Sequence, residues 1–167
     1  QVMFRAQSDE ACIRVWERDP DTGGVSAHNV VPTTERRLDL GDLTVFYDDG
    51  LATHLRALRL AALPNETGGI LLGYHDFNVG AIVLVDALPA PSDSCASLGS
   101  FERGTSGLTK AVQDASARTA GIVGYVGEWH SHPRGHSARP SPDDLVQLAE
   151  ISLGMHDDGL PALQLIV

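Results

Sequence analysis

Two histidines one residue apart, His130-Ser131-His132, directly follow an apolar run that ends in Trp129. Alternate side chains of an extended segment point to the same side, so both imidazoles can face one metal ion. Zinc takes neutral imidazole and carboxylate ligands in a tetrahedron, and a catalytic zinc site uses three protein ligands and leaves the fourth place to water. The rest of the chain must then supply a third ligand and a base. Nearby, Ser141-Pro142-Asp143-Asp144 has the form of a helix start, with Ser as N-cap, Pro at the first helical position and acids in the first turn. Ser141 and Asp144, three apart, share a helix face. Each piece also has a plainer reading. A Ser and an acid at a helix start satisfy its free N–H groups, and an isolated histidine pair is commonly a hydrogen-bonded surface feature. Glu128, two residues before His130, projects to the same side; it is a candidate partner behind the ligands or, as a second choice, the base. Trp129 reads as core or pocket wall.

The histidine pair sits at the end of an apolar strand over 122–129, and the aspartates open a helix over 143–154, followed by a last strand over 160–167. Upstream, Leu51, Leu55, Leu58 and Ala62 recur at helical spacing from Asp49 to Leu63, and Pro64 cannot continue that helix. Two short apolar runs, Gly68 to Gly73 and Ala81 to Ala87, read as adjacent buried strands of one sheet. Residues 38–47 read as one strand, and 11–16 with the turn-rich 19–24 as a strand and hairpin turn. Residues 88–106 are rich in Pro, Ser and Gly without a clear period, a loop long enough to suggest function; a helix over 108–118 follows.

The chain has 167 residues, 43% of them hydrophobic, which matches one ordinary globular domain. A net charge of −10, from 12 basic and 22 acidic residues, repels a phosphate backbone, so nucleic acid is not an expected partner. No stretch approaches the roughly 20 uninterrupted apolar residues of a membrane span, so no membrane is expected either. The two cysteines, Cys12 and Cys95, lack the spacing of a thiolate zinc site and read as buried small hydrophobes of a protein in a reducing cytoplasm. Gln1 at the start suggests a chain cut from something longer. An H-x-H amidohydrolase barrel is excluded by size, since such a barrel needs about 250 residues.

Taken together, the motifs resemble those of the JAMM metalloprotease family, also called JAB or MPN+: a distant Glu, then His-x-His-Pro, about seven residues, and Ser-x-x-Asp. This chain has Glu66-Thr67-Gly68-Gly69-Ile70-Leu71-Leu72-Gly73, then Gly127-Glu128-Trp129-His130-Ser131-His132-Pro133, then Pro140-Ser141-Pro142-Asp143-Asp144. The resemblance covers residues 40–167 and is nearest to the bacterial branch. One departure is that eight residues separate His132 from Ser141. Counting from His132 selects Asp143 as third ligand; counting from Ser141 selects Asp144. Asp144 is preferred, because an extra loop residue is easily absorbed, whereas moving the acid by one position turns it about 100° around the helix.

The resemblance implies an α/β fold of the cytidine-deaminase-like, three-layer MPN kind, a mixed central sheet flanked by helices, over 38–167, with 1–37 as an N-terminal extension or hairpin. It implies one zinc ion on His130, His132 and Asp144, a bound water whose pKa falls to about 7, Glu66 as the base that takes its proton, and Ser141 as donor to the oxyanion. Glu128, Trp129 and Asp143 are the candidates for substrate contact or support. The implied reaction is metallo-isopeptidase or peptidase cleavage after the C-terminal glycine of a ubiquitin-like modifier; the 88–106 loop is the candidate for holding the modifier's tail, or else a disordered surface loop. The implied partners are such a modifier or its conjugates, with modifier-activating and conjugating enzymes beside them. Two other implications stand: release of an amino acid from a sulfur-carrier-type protein at the same site, or an inactive MPN scaffold that only binds partners. Glu66, both histidines and the aspartate are all present, which argues against the scaffold.

Overall fold

The computed structural model describes residues 13–19, 21–30 and 33–167; Cys12 lies outside the described residues. The chain divides into two units, residues 1–34 and 35–167. In the first, β1 (Ile13–Arg18) and β2 (Val25–Val30) form an antiparallel hairpin. Its turn is held by Asp19, whose Oδ1 accepts the N–H groups of Asp21 at 2.8 Å and Thr22 at 3.0 Å. These backbone donors keep the exposed Asp19 carboxyl below its ordinary pKa.

The second unit contains β3 (Glu35–Asp39), β4 (Thr44–Asp48), α1 (Asp49–Ala62), β5 (Gly68–Asp76), β6 (Ala81–Ala87), β7 (Cys95–Ala96), β8 (Phe101–Glu102), α2 (Leu108–Arg118), β9 (Gly124–His130), α3 (Pro142–His156) and β10 (Leu163–Ile166). One expectation fails here: the single strand over 38–47 is two strands. Gly41 turns the chain with a φ of 79°, and Leu40 N–H bonds the Leu43 carbonyl at 2.8 Å, so β3 and β4 fold back as a hairpin.

Six strands form one mixed sheet in the order β10-β9-β5-β6-β4-β3. The β10–β9 and β4–β6 pairs are parallel and the other three are antiparallel. At one edge β3 is exposed throughout and carries Glu35, Arg36, Arg37 and Asp39, charges that discourage pairing with a further strand. The α/β arrangement expected from the sequence is the one found, with helices on both faces. On one face Leu51 and Leu55 of α1 pack against Val45, Leu71, Ile82, Leu84, Val126 and Trp129. On the other, Ala115 of α2 packs with Ile70, Leu72 and Val123. Residues 70, 71 and 72 alternate between the two cores as a strand requires. The helix α1 starts where the Asp48 side chain accepts the Leu51 N–H at 2.6 Å, and it ends before Pro64.

A bulge in β9 decides which side chains face which core. Leu71 is opposite Gly127 but Leu72 is opposite Tyr125, so Val126 is the extra residue. Val126 and Trp129 can therefore both enter the α1 core although they are three apart. Tyr125 faces α2, and Glu128 and His130 lie across the strand from Trp129. Gly127 permits this arrangement. Its φ is 153°, and a Cβ there would overlap the Leu163 carbonyl of β10. Gly127→Ala is expected to destabilise the protein by roughly 2–4 kcal/mol, through backbone strain and a clash that only strand separation relieves. A denaturant titration reads this directly, and a change below about 0.5 kcal/mol, as at an ordinary surface site, would contradict it.

Candidate metal centre

The strand β9 ends at His130, and two residues later the chain leaves the sheet. Backbone bonds fix this exit. Ser131 N–H donates to the Thr67 carbonyl at 2.7 Å, Thr67 N–H donates to Ser131 Oγ at 3.1 Å, and His132 N–H donates to the Val167 carbonyl at 3.2 Å. The His132 carbonyl in turn accepts Nε and Nη2 of Arg59, which reaches over from α1, at 3.2 Å each. The peptide that carries the second histidine is thus held from the sheet on one side and the helix on the other.

From the far side comes the first turn of α3. Ser141 caps it: the hydroxyl accepts the Asp144 N–H at 3.2 Å, and the Asp144 carboxylate accepts the Ser141 N–H at 2.6 Å. The plain cap reading of Ser-x-x-Asp is therefore correct, and it coexists with a second use of the same carboxylate. Asp144 Oδ1 lies 3.0 Å from His130 Nε2, and Oδ2 lies 3.3 Å from His132 Nε2. The two Nε2 atoms are 3.3 Å apart. One atom from each residue falls within 4.8 Å of the others, a group that could hold a metal ion. Asp144 is the aspartate brought to the imidazoles. Asp143, one position round the helix, is exposed and lines the same cavity.

The donor set fits zinc in both distance and protonation. Ligands about 2.0–2.1 Å from a tetrahedral zinc stand roughly 3.3–3.4 Å from one another, close to the separations found. His132 Nδ1 lies 2.6 Å from the Ser137 carbonyl, which can only accept, so Nδ1 is the donating nitrogen and Nε2 is the one turned to the site. Burial, with help from neighbouring His132 and against the pull of Asp144, lowers the His130 pKa and favours the neutral ring. For Asp144, burial acts upward, but the Ser141 N–H and hydroxyl and the two imidazoles outweigh it, so its pKa falls below the ordinary value. Two imidazoles and a carboxylate facing one point are what a divalent cation needs.

Glu66 stands on the other wall, in the segment leading into β5, with its N–H on the Ser97 carbonyl at 2.9 Å. It lines the same cavity of about 470 Å³ as His130, His132, Ser141 and Asp144. Burial is the largest influence on its carboxyl; together with the Asp144 charge it outweighs the pull of His132 and His136 and raises the pKa. His136 is exposed yet borders the cavity. Trp129 is core, 1% exposed, with its indole N–H on the Leu88 carbonyl at 2.9 Å. His54 and His75 serve structure, bonding the carbonyls of Ala87 and Pro161.

The 88–106 segment is structured and forms part of the cavity through Gly99, Ser100 and Phe101. Its ends are tied by Asp93, which accepts the N–H groups of Thr105 and Ser106 at 3.0 Å each, and β7 pairs with β8 across a turn. Phe101 lies so close to Gly68 that a Cβ there would come within 2.6 Å of its ring. Cys95 sits on this ribbon and is exposed; the expected burial is wrong, because a two-strand ribbon has no second layer to cover it.

Residues 48–164 match the family model described as prokaryotic homologs of the JAB domain. The chain belongs to that family. Over 93 residues, 56% of its length, this JAB domain is 41% identical to a protein of Enterobacter hormaechei subsp. hoffmannii (strain UCI 50) named CD-NTase/cGAS isopeptidase. The match takes in 49% of that relative, so the chain spans about half the length of the curated protein it resembles. Among solved structures, protein DSY2949 from Desulfitobacterium hafniense is similar at 26% identity with a TM-score of 0.46, over 57% of this chain and 61% of that one. No helix among the described residues of the JAB domain is long and apolar enough to cross a membrane.

Sequence reasoning missed several residues that build this JAB site. Arg59 carried only a helix-face signal, and Gln147 lies one turn beyond Asp144 on the same face of α3. Arg103 is the third, and its partner is Glu128: Nη2 meets Oε1 at 2.6 Å. Glu128 is thus bonded to these partners and not to the imidazoles, its other oxygen taking the Gln147 amide at 3.1 Å. Nothing in the linear spacing of Arg103 and Glu128 announced the pair.

Proposed function

We propose that this JAB domain is a zinc-dependent isopeptidase or peptidase that hydrolyses the bond after the C-terminal glycine of a ubiquitin-like modifier, in deconjugation or maturation. The observation that carries the reading is the convergence of His130 Nε2, His132 Nε2 and the Asp144 carboxylate on one point, in a cavity that Glu66 shares. The isopeptidase name of the 41% identical relative supports the reaction class.

In this reading His130, His132 and Asp144 hold the zinc. The ion would supply a Lewis acid and lower the pKa of water to about 7. Glu66 takes the proton of the attacking water and returns it to the departing amine, a role suited to a carboxyl raised by burial. Ser141, whose Oγ accepts the Asp144 N–H, turns its hydroxyl proton from the Asp144 carboxylate to the oxyanion as that charge develops. The modifier's tail lies extended along Ser100 and Phe101, which line the cavity. Asp143 and His136, both exposed and lining the cavity, face the conjugated target. Modifier-activating and conjugating enzymes, which supply such conjugates, are the proposed partners, and the cytoplasm is the proposed setting.

The test is metal analysis of the purified protein together with hydrolysis of a ubiquitin fusion and of isopeptide-linked ubiquitin. The expected result is about one zinc per chain and cleavage after the terminal glycine. Stoichiometric zinc with no cleavage of any glycine-tailed modifier would overturn the proposal.

A further inference from the structure

The cavity has two walls that belong to different parts of the chain. One is the β7–β8 ribbon with Ser100 and Phe101, and the other is the first two turns of α3, with Ser141, Asp144 and Gln147. No strand pairing joins ribbon to helix. What joins them is one buried carboxylate. Glu128, 6% exposed, receives Arg103 Nη2 at 2.6 Å and the Tyr125 hydroxyl at 3.3 Å on Oε1. Its Oε2 receives Gln147 Nε2 at 3.1 Å, and Gln147 Oε1 then accepts Gln164 Nε2 of β10 at 2.8 Å. Arg103 directly follows β8, two residues beyond Phe101, and Gln147 is three residues beyond Asp144.

We infer that Glu128 is a positioning residue that sets the width of the cleft, tying the Phe101 ribbon through Arg103 to the Asp144 helix through Gln147. The inference rests on the hydrolase reading for its effect on turnover, but the tie itself does not. A charge-assisted bond to a buried partner is strong, and breaking it leaves the other group uncompensated. Arg103 is exposed to this: its Nε has no hydrogen-bond partner among the described residues, and beyond Glu128 it reaches only the Gly104 carbonyl next to it. Loss of Glu128 therefore removes the link between the two walls and loosens both.

Glu128→Gln separates position from charge. The Gln147 and Gln164 amides can both turn over, so an amide at 128 can keep its oxygen toward Arg103 and offer its NH2 to Gln147. The geometry survives while the charge is gone. Glu128→Ala keeps neither.

Two measurements test this. Amide hydrogen exchange of wild type and both variants needs no activity. Glu128→Ala is expected to accelerate exchange at 97–103 and 141–147 together, by about tenfold or more, with Glu128→Gln restoring most of the protection. Kinetics on the ubiquitin fusion should show KM raised about tenfold in Glu128→Ala and in Arg103→Met with kcat changed less, and the double variant no worse than the single ones. Unchanged exchange in either wall of Glu128→Ala overturns the inference, whatever the protein hydrolyses. Additive effects of Glu128→Ala and Arg103→Met overturn it as well. If the two variants show the exchange pattern but the wild type cleaves no modifier, the proposed function is overturned and the tie stands.

Discussion

Glu66→Gln is expected to reduce kcat by about 10²–10⁴-fold, the range that a positioned general base contributes, with KM and zinc content unchanged. The substitution is nearly isosteric, and Glu66 is partly exposed, so folding is not at issue. What changes is that an amide cannot take a proton. In the proposed mechanism Glu66 acts in the transition state and not in binding the tail, so the loss should fall on kcat. Retention of activity within a few-fold would mean that the proton goes elsewhere. Glu128 is not available for it, since its oxygens are taken by Arg103, Tyr125 and Gln147. Burial, and the neighbouring phenol–carboxylate contact, push the Tyr125 pKa up, so Tyr125 stays a donor to Glu128 and not a base. A direct check on the electrostatics is an NMR titration of the metal-free protein. Glu66 should titrate above the ordinary carboxylate range and Asp144 below it.

Asp144→Asn is expected to cost more than about 100-fold in zinc affinity, beyond the 10–100-fold typical of a residue that only supports a ligand. An asparagine oxygen can still accept the Ser141 N–H, so the cap persists while the anion is lost. That choice keeps the metal effect distinct from the helix effect. Because the site forms only in the folded chain, zinc should also raise the wild-type unfolding midpoint, and a chelator should lower it, with neither shift in Asp144→Asn. The pH dependence has a definite sign in the metal-free protein. Asp144 has a lowered folded-state pKa, so it contributes stability above the ordinary carboxylate pKa, and that contribution is lost as pH falls through the folded value. The Asn variant should lack this part of the acid dependence. Full zinc occupancy in Asp144→Asn at wild-type affinity would remove the aspartate from the ligand set.

The choice between Asp143 and Asp144 shows how local rules reach a site. One position on a helix is about 100°, and the family's Ser-x-x-Asp pattern places Asp144 over Ser141, so the sequence favoured Asp144 without excluding Asp143; in the fold it is the Asp144 carboxylate that lies beside the imidazoles. The H-x-H pair was equally local, since an extended chain puts both rings on one side. Glu66 is a different matter. It is 64 residues from His130, and only a family pattern linked them; in the fold, Thr67 and Ser131 exchange hydrogen bonds where β5 runs beside β9.

Helix boundaries, the two apolar strands and the motif order were determined by the sequence itself, because periodicity, capping and proline act within a few residues. Tertiary structure alone decided the rest. The break at Gly41 that makes two strands of 38–47 depends on a φ of 79° that the alternation of Leu and Asp conceals. The exposure of Cys95 depends on a ribbon having no layer above it. The direction of Glu128 depends on a guanidinium 25 residues away in sequence. A spacing of two on a strand told correctly that Glu128 and His130 share a side, but which neighbours wait on that side is a property of packing between distant segments, and no local pattern encodes it.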